Sequence, residues 1–457
     1  MTDTQAKNIY FLGIGGIGMS AIARYYLLEG VRVGGYDRTE TALTRALASE
    51  GADIHYEDDP ARIAAPFRNP DDTLVVYTPA IPHDHAETAW FRSHGFRILK
   101  RSEILGVLAA DKYVMAVAGT HGKTTTTTLT AWLNHVAGGG GSAFLGGISK
   151  NFDSNFVHGP GRRLAVEADE FDRSFHWLTP YATVITATDP DHLDIYGTEE
   201  AYLESFRKYT SLIRPDGFLI IHKGLAMQPD VQPGVTTYTY SIEEGDFHAT
   251  NIRIGGGEIQ FDYISPLGNI CDIRLGVPVY VNIENGIAAM ALAQIAGATA
   301  EEIKTAMASF GGVDRRFDFK IKNDHLAFLS DYAHHPEEIR KSITSLKALY
   351  PDRKITAVFQ PHLYTRTRDF YKEFAESLSL LDEVILLDIY PARELPIPGV
   401  TSRLIYDNLR SDMKKTLCTK EELLDLLKKK HLEVLVTLGA GDIDNFVPQI
   451  YEMLKDR

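Results

Sequence analysis

Tyr113-Val114-Met115-Ala116-Val117-Ala118-Gly119-Thr120-His121-Gly122-Lys123-Thr124-Thr125-Thr126 runs from an unbroken apolar stretch, through two glycines, into a run of threonines. The apolar stretch is short enough for a strand and has no polar alternation, as a strand covered on both faces requires. A helix starts in the threonines. In the turn between them, successive N–H groups can wrap phosphates, Lys123 can reach the terminal ones, and the Thr124 hydroxyl can bind Mg²⁺. Gly119, Thr120, His121, Gly122, Lys123, Thr124 and Thr125 are therefore the expected nucleotide loop. The loop is shorter than the common phosphate-binding pattern, with Val117 where that pattern has its first glycine. A turn without a ligand is the alternative, but it has little use for a Lys-Thr pair.

Working outward, the same strand-turn-helix alternation appears on both sides. Upstream, Ile9 to Leu12 reads as a buried strand, Met19 to Glu29 as a helix and Val31 to Tyr36 as the next strand. Strands at Leu74 to Tyr77 and Arg97 to Leu99 continue the pattern, and Ser102 to Asp111 reads as a linking helix. Downstream, strands are expected at Leu164 to Val166 and Thr183 to Ala187. From Thr236 to Val281 the texture becomes β-rich and broken by glycines, which suits a small antiparallel sheet. A helix from Ile283 to Ala296 ends at Gly297. Beyond Phe310-Gly311-Gly312 the alternation resumes, with strands at Leu326 to Ser330, Ile355 to Phe359, Val384 to Asp388 and Val434 to Leu438. Gly138 to Gly141 reads as a flexible turn. The expected fold class is α/β in three domains: a Rossmann-like domain over 1–107, a central ATPase-type domain with the small sheet over 108–312, and a C-terminal Rossmann-like domain over 313–457. A chain of 457 residues is long enough for three cores.

Composition limits the partners. A net charge of -14 argues against a nucleic-acid binder, which needs a concentrated basic face. The first residues lack a signal peptide's basic and apolar regions, and no apolar run approaches the roughly 20 residues of a membrane span, so a cytoplasmic enzyme is expected. Cys271 and Cys418 stand alone, which suggests neither a disulfide framework nor a zinc site. Both read as buried small apolar residues.

Gly13-Ile14-Gly15-Gly16-Ile17-Gly18 follows a strand and opens a helix, so Gly13, Gly15, Gly16 and Gly18 can expose N–H groups to a diphosphate. Asp37 closes the next strand, where an acidic residue typically holds a ribose hydroxyl. The pattern does not say which nucleotide binds, and a bare strand-to-helix turn remains open. Glu167 lies at another strand end, within reach of the metal that a hydrolysable nucleotide needs. His192 follows a further strand end, although imidazole is an unusual Mg²⁺ ligand; acidic residues and histidines also serve turns. In the last domain Tyr332 and His334 follow a strand, and Pro336 starts a helix. His362, Arg366 and Arg368 form a second polar loop, and Arg315-Arg316 stand at the domain junction, where a guanidinium can fork a carboxylate or phosphate. Capping, turn and packing roles are the alternative for each.

Together these residues resemble the Mur ligases of peptidoglycan synthesis over nearly the whole chain. The resemblance rests on Gly13 to Met19, Gly119 to Thr126, Glu167-Ala168-Asp169-Glu170, Asp191-His192-Leu193, Asn282 to Asn285, Phe310 to Phe317, Asp331 to Pro336, Gln360 to Thr367 and Gly439 to Ile443. It implies domains that bind a UDP-sugar, ATP and an amino acid in turn, and it assigns the first glycine turn to UDP. It implies that Lys123 and Thr124 contact ATP and Mg²⁺, that Glu167 and His192 bind the metal, and that Asn282 and Asn285 lie near adenine. Arg316 would approach the γ-phosphate, and Tyr332, His334, His362 and Arg366 would line the amino-acid side, with His334 assisting proton transfer. The implied substrates are UDP-N-acetylmuramic acid and L-alanine, joined through an acyl phosphate by a monomer or weak homodimer. The chain departs from the family at Leu363, where many members carry Arg, so Arg366 or Arg368 would take that role. Tyr77 to Ile81 replaces a Ser-Ser-Ala-Ile pattern. Lys208 matches only by distance a carbamoylated lysine of other branches. A tripeptide-adding ligase, a nicotinamide oxidoreductase and a nucleotide-switched binding protein are the competing readings.

Overall fold

The computed structural model describes residues 6–82, 84–190, 193–392 and 394–456. Strands β1 to β5 (Asn8–Leu12, Arg32–Tyr36, Asp53–His55, Thr73–Tyr77, Arg97–Lys100) form a parallel sheet in the order β3-β2-β1-β4-β5. All five β1 residues are buried, the mark of a central strand covered on both faces. Chain order reverses between β1 and β4, so the Gly13 to Gly18 turn opens at a switch point, where strand carboxyl ends leave a crevice.

Strands β6 to β12 (Tyr113–Ala118, Ser142–Ser149, Ser154–Val157, Arg163–Ala168, Ala182–Ile185, Phe218–His222, Thr236–Tyr240) form a second sheet in the order β12-β11-β10-β6-β9-β7-β8. Only the β7–β8 pair is antiparallel. Here β6 sits at the switch point, between β10 and β9, and launches the Lys123–Val136 helix. β12 corrects one expectation. Thr236–Tyr240 pairs in parallel with β11 as the edge of this sheet instead of joining the small one. The small sheet is β13-β14-β15 (His248–Gly255, Glu258–Ile264, Ile270–Arg274). Its connections are too short for a parallel crossover, so its strands alternate in direction. Strands β16 to β21 (Asp318–Lys322, Ala327–Asp331, Ile355–Phe359, Glu383–Leu386, Lys414–Leu417, Val434–Leu438) form a sheet in the order β16-β17-β21-β18-β19-β20, antiparallel only at its β16 edge.

By compactness the chain divides into two units. One comprises Met1–Thr250, Asp262–Cys271 and Glu284–Phe310; the other comprises Asn251–Phe261, Asp272–Ile283 and Gly311–Arg457. The first two sheets thus share a unit, and they share a core: Ile9, Phe11 and Ile22 belong to the same buried cluster as Val114, Val166 and Leu219. A polar pin holds that junction. The buried Asn155 amide donates to Ile17 O at 2.6 Å and to Ser20 Oγ at 2.8 Å, and its carbonyl accepts from Arg24. The last sheet has its own core around Phe328, Val358, Ile385 and Leu435.

Gly297 has φ +90° directly after the Val281–Ile295 helix, the left-handed stop that glycine adopts at little cost. The two cysteines differ from each other. Cys418 is buried as expected, but Cys271 is exposed, because the short strand β15 turns only Ile270 and Ile273 inward.

Candidate active site

The Gly119 to Thr125 turn is shaped by what glycine lacks. Gly119 has φ +129°, and a Cβ there would lie 2.2 Å from Thr186 Oγ1. Gly122, with φ +80°, precedes the helix, and a Cβ on it would meet Asn285 Oδ1 at 2.7 Å. That amide oxygen also accepts from the Thr126 hydroxyl at 3.3 Å, so Asn285 stands against the turn. Asn282 instead closes its own turn, donating to Val277 O at 3.1 Å. Thr120 Oγ1 donates to Asp189 O at 2.8 Å and meets Tyr202 OH at 2.9 Å, while His121 lies 3.9 Å from the Asp189 carboxylate.

Lys123 is held from two sides. Its ammonium donates to Gly119 O at 2.6 Å and to both carboxylate oxygens of Glu170 at 2.8 Å. Burial raises the Glu170 pKa, and the Lys123 charge works against that rise. Glu170 follows Glu167 in the quoted acidic run, yet no role could be read for it: the sequence shows two glutamates near a strand end, and only the fold selects which one meets the lysine.

Glu167 is the penultimate residue of β9, beside β7. Gly146 N donates to its Oε1 at 2.9 Å, and the Thr124 hydroxyl also hydrogen-bonds to it. Burial raises its pKa, opposed mainly by Lys123. Thr124 and Glu167 therefore come together as expected. His192 lies outside the described residues, and Lys208 is exposed on the last turn of its helix.

The first glycine turn is braced by Asp37, whose Oδ2 accepts from Gly15 N at 2.8 Å and whose Oδ1 accepts from Thr39 N at 3.2 Å. Both carboxylate oxygens thus serve the chain's own backbone. Gly13 has φ +86°, and a Cβ on Gly18 would lie 2.5 Å from the Arg101 guanidinium, which pairs with Asp169 at 2.8 Å. A cavity of about 160 Å³ joins these parts, bounded by Gly18, Arg101, Gly146, Glu167 and Asp169. A second cavity, of about 310 Å³, lies under Tyr77, Pro79 and Ile81 with Arg92 and Lys100. Gly18, at the end of the first glycine turn, and Glu167 therefore share one hollow, which sequence spacing alone could not reveal.

In the last domain, the His334 and His362 rings meet edge to face at 5.9 Å, Arg366 Nη1 lies 3.5 Å from His362 Nδ1, and the Tyr332 ring is 5.2 Å from His334. Burial lowers the His334 pKa, although Glu338, 3.4 Å away, pulls the other way. Burial, Arg366 and His334 push His362 down to about 4. Both shifts favour the neutral imidazole. Arg315 and Arg316 both lie over the Tyr332 ring, at 4.7 and 5.2 Å, and Arg315 also pairs with Asp444 at 3.2 Å. Arg368 is also spent, on Asp369 at 2.7 Å, which leaves Arg366 as the guanidinium facing the histidines. Leu363, the departure from the family pattern, has φ +72°, a strained backbone for a branched side chain. Glu338 and Glu394 were missed. Their carboxylates cap backbone N–H groups of His334 and Thr365 at 3.0 Å each, and the glutamate three residues after His335 carried a readable capping-box signal.

Three family models match the chain: "Mur ligase family, catalytic domain" over residues 8–113, "Mur ligase middle domain" over 117–293 and "Mur ligase, glutamate ligase domain" over 315–441. Among curated relatives, a UDP-N-acetylmuramate–L-alanine ligase of Phocaeicola vulgatus is 67% identical, with all of both chains covered. A relative of the same name from Porphyromonas gingivalis is 49% identical over 98% of this chain and 99% of its own. Among solved structures, the UDP-N-acetylmuramate-alanine ligase of Thermotoga maritima superposes with a TM-score of 0.83 at 27% identity, covering 98% of this chain and 99% of its own. A murein peptide ligase from Psychrobacter arcticus shares the fold, with a TM-score of 0.67 at 20% identity and the same coverage.

Proposed function

Because the chain belongs to the Mur ligase family, we propose that it joins L-alanine to the lactyl carboxylate of UDP-N-acetylmuramic acid at the expense of ATP, in peptidoglycan precursor synthesis. What supports this reading is the shared hollow, where Ile17 and Gly18, at the end of the first glycine turn, line one cavity with Glu167. A carboxylate substrate held by its UDP at the first turn is thereby brought toward the phosphate-transfer loop. The 67% identity over the full chain supports alanine as the amine. Three functional regions follow the same reading: residues 1–107 for the UDP-sugar, 108–312 for ATP and 313–457 for the amino acid.

Thr124 and Glu167 fit Mg²⁺, since both offer hard oxygen donors and glycine at position 146 leaves the Glu167 carboxylate its room. When bound, the ion neutralises charge on the terminal phosphates. The Gly119 to Thr125 loop orients ATP, and Lys123 and Arg316 stabilise charge as the lactyl carboxylate oxygen attacks the γ-phosphorus and ADP leaves. The product is an acyl phosphate. The neutral amine of alanine then attacks the acyl carbon, the C–O bond to phosphate breaks, and inorganic phosphate departs from an amide. His334, kept neutral by burial, accepts a proton from the attacking amine, while Arg366 holds the alanine carboxylate. The Tyr332 and His362 rings wall this pocket.

No helix among the described residues is long and apolar enough to cross a membrane. A cytoplasmic enzyme, monomeric or weakly dimeric, completes the reading. The test is phosphate release from ATP and Mg²⁺ with UDP-N-acetylmuramic acid, comparing L-alanine, glycine, serine, a tripeptide and no amine. Release that requires L-alanine and yields the alanyl product is expected. A preference for the tripeptide reassigns the amine, and release without any amine overturns the ligase reading.

A further inference from the structure

Lysine has three N–H donors and no more. In this chain the Lys123 ammonium donates to the Gly119 carbonyl and to both oxygens of the Glu170 carboxylate. Glu170 is almost wholly buried, and Lys123 is only 16% exposed, so water does not compete for the pair. An incoming phosphate must compete with the Glu170 carboxylate for the ammonium. A carboxylate and a polyphosphate around one ammonium repel each other, so the contact given up is the one with Glu170.

The backbone keeps Glu170 at its post. Its carbonyl accepts from Arg173 N at 3.0 Å and from the Tyr196 hydroxyl. Asp172 and Arg173 follow with φ of 51° and 56°, consecutive left-handed residues that are not glycine. The Arg173 guanidinium lies over the Tyr196 ring at 4.7 Å, closing the turn. Strain of this kind persists only where the surroundings over-determine it, and here it fixes where the carboxylate starts from.

We propose that Glu170 is a resident competitor for the nucleotide's terminal phosphates, a positioning residue that parks Lys123 and is displaced when ATP binds. This inference rests on the ligase reading and adds a cycle to it. ATP, with three phosphates, draws Lys123 away from Glu170. Once the γ-phosphoryl group has moved to the lactyl carboxylate, ADP holds the ammonium less strongly, Glu170 recaptures it, and ADP leaves.

The experiment is titration calorimetry of MgATP and MgADP into the full chain, wild type beside Glu170→Gln, with steady-state phosphate release on the same samples. Glutamine keeps the shape and removes the charge. If the parked state dominates, its removal tightens MgATP by about tenfold, the inverse of the fraction competent to bind. MgADP tightens too, so kcat falls together with KM for ATP as product release slows. A merely structural Glu170 predicts the opposite sign: binding weakens as Lys123 loses its orientation. Unchanged or weaker MgATP binding in Glu170→Gln therefore overturns the proposal and leaves the ligase reading standing. A wild-type chain that binds no MgATP overturns both. Should Glu170→Gln fail to fold, as judged by circular dichroism, Glu170→Asp decides. Its shorter arm loses the two-oxygen grip, so MgATP tightens by a smaller factor, and no tightening again overturns the proposal.

Discussion

Gly146 presses on Glu167: a Cβ at position 146 would sit 2.2 Å from Glu167 Oε1, the oxygen that accepts the Gly146 N–H at 2.9 Å. The contact is with the end of a side chain, so Gly146→Ala is expected to fold and to push the carboxylate aside. We expect kcat to fall by about 100-fold, the scale set by misplacing a group at the reacting centre. The Mg²⁺ concentration for half-maximal rate should rise as well. Phosphate release measured across a Mg²⁺ titration checks both.

Lys123→Ala removes a cation from the phosphate-transfer loop. Product formation should drop by about 10²- to 10³-fold, the usual cost of losing one preorganised donor to transition-state charge. Binding of the UDP-sugar, measured by calorimetry, should change little, since the first glycine turn belongs to another sheet. A near-normal rate would defeat the mechanism above.

His362 sets a direction for the effect of acid. Its folded-state pKa, about 4, lies below the ordinary value of 6.5, so between those values the unfolded chain binds a proton that the folded chain refuses. Stability therefore rises with pH across this window and is lost as pH falls from 6.5 toward 4. His334 is shifted the same way. His362→Gln should show a shallower decline in melting temperature from pH 7 to pH 5 than the wild type. Parallel curves would remove His362 as a contributor.

Asn155→Ala tests the polar pin. The substitution deletes the hydrogen bonds to Ile17 O and Ser20 Oγ and leaves Arg24 without its amide partner. A loss of about 1 to 3 kcal/mol is expected, typical of buried polar groups left unsatisfied. Denaturant unfolding followed by circular dichroism measures it.

Strands buried on both faces were the most legible part of the sequence. Tyr113–Ala118, Ile355–Phe359 and Val434–Leu438 appear with the ends that their apolar runs indicated. Lys414–Leu417 and Asp53–His55 were not legible, because edge strands carry polar residues that look like loop. Thr236–Tyr240 was read as β but assigned to the wrong sheet, since pairing partners are chosen by tertiary packing and not by local pattern. Among candidate site residues, the placement of the Gly119 to Thr125 turn and of Glu167 could be read because glycines and a strand end fix them locally. Asp37 was legible by position, but its use was not: its oxygens brace the Gly15 turn. Glu170 depended on a long-range meeting with Lys123, 47 residues away, that no spacing rule encodes.

The apolar cluster common to the first two sheets bears on how such a protein can be taken apart. Ile9 and Val114 lie in the same cluster, so cutting the gene between residues 107 and 108 would expose greasy surface on both fragments. An N-terminal fragment expressed alone should aggregate, and grafting that segment from a distant homologue should fail unless its contact residues travel with it. Inheritance of the two sheets is thus coupled by packing.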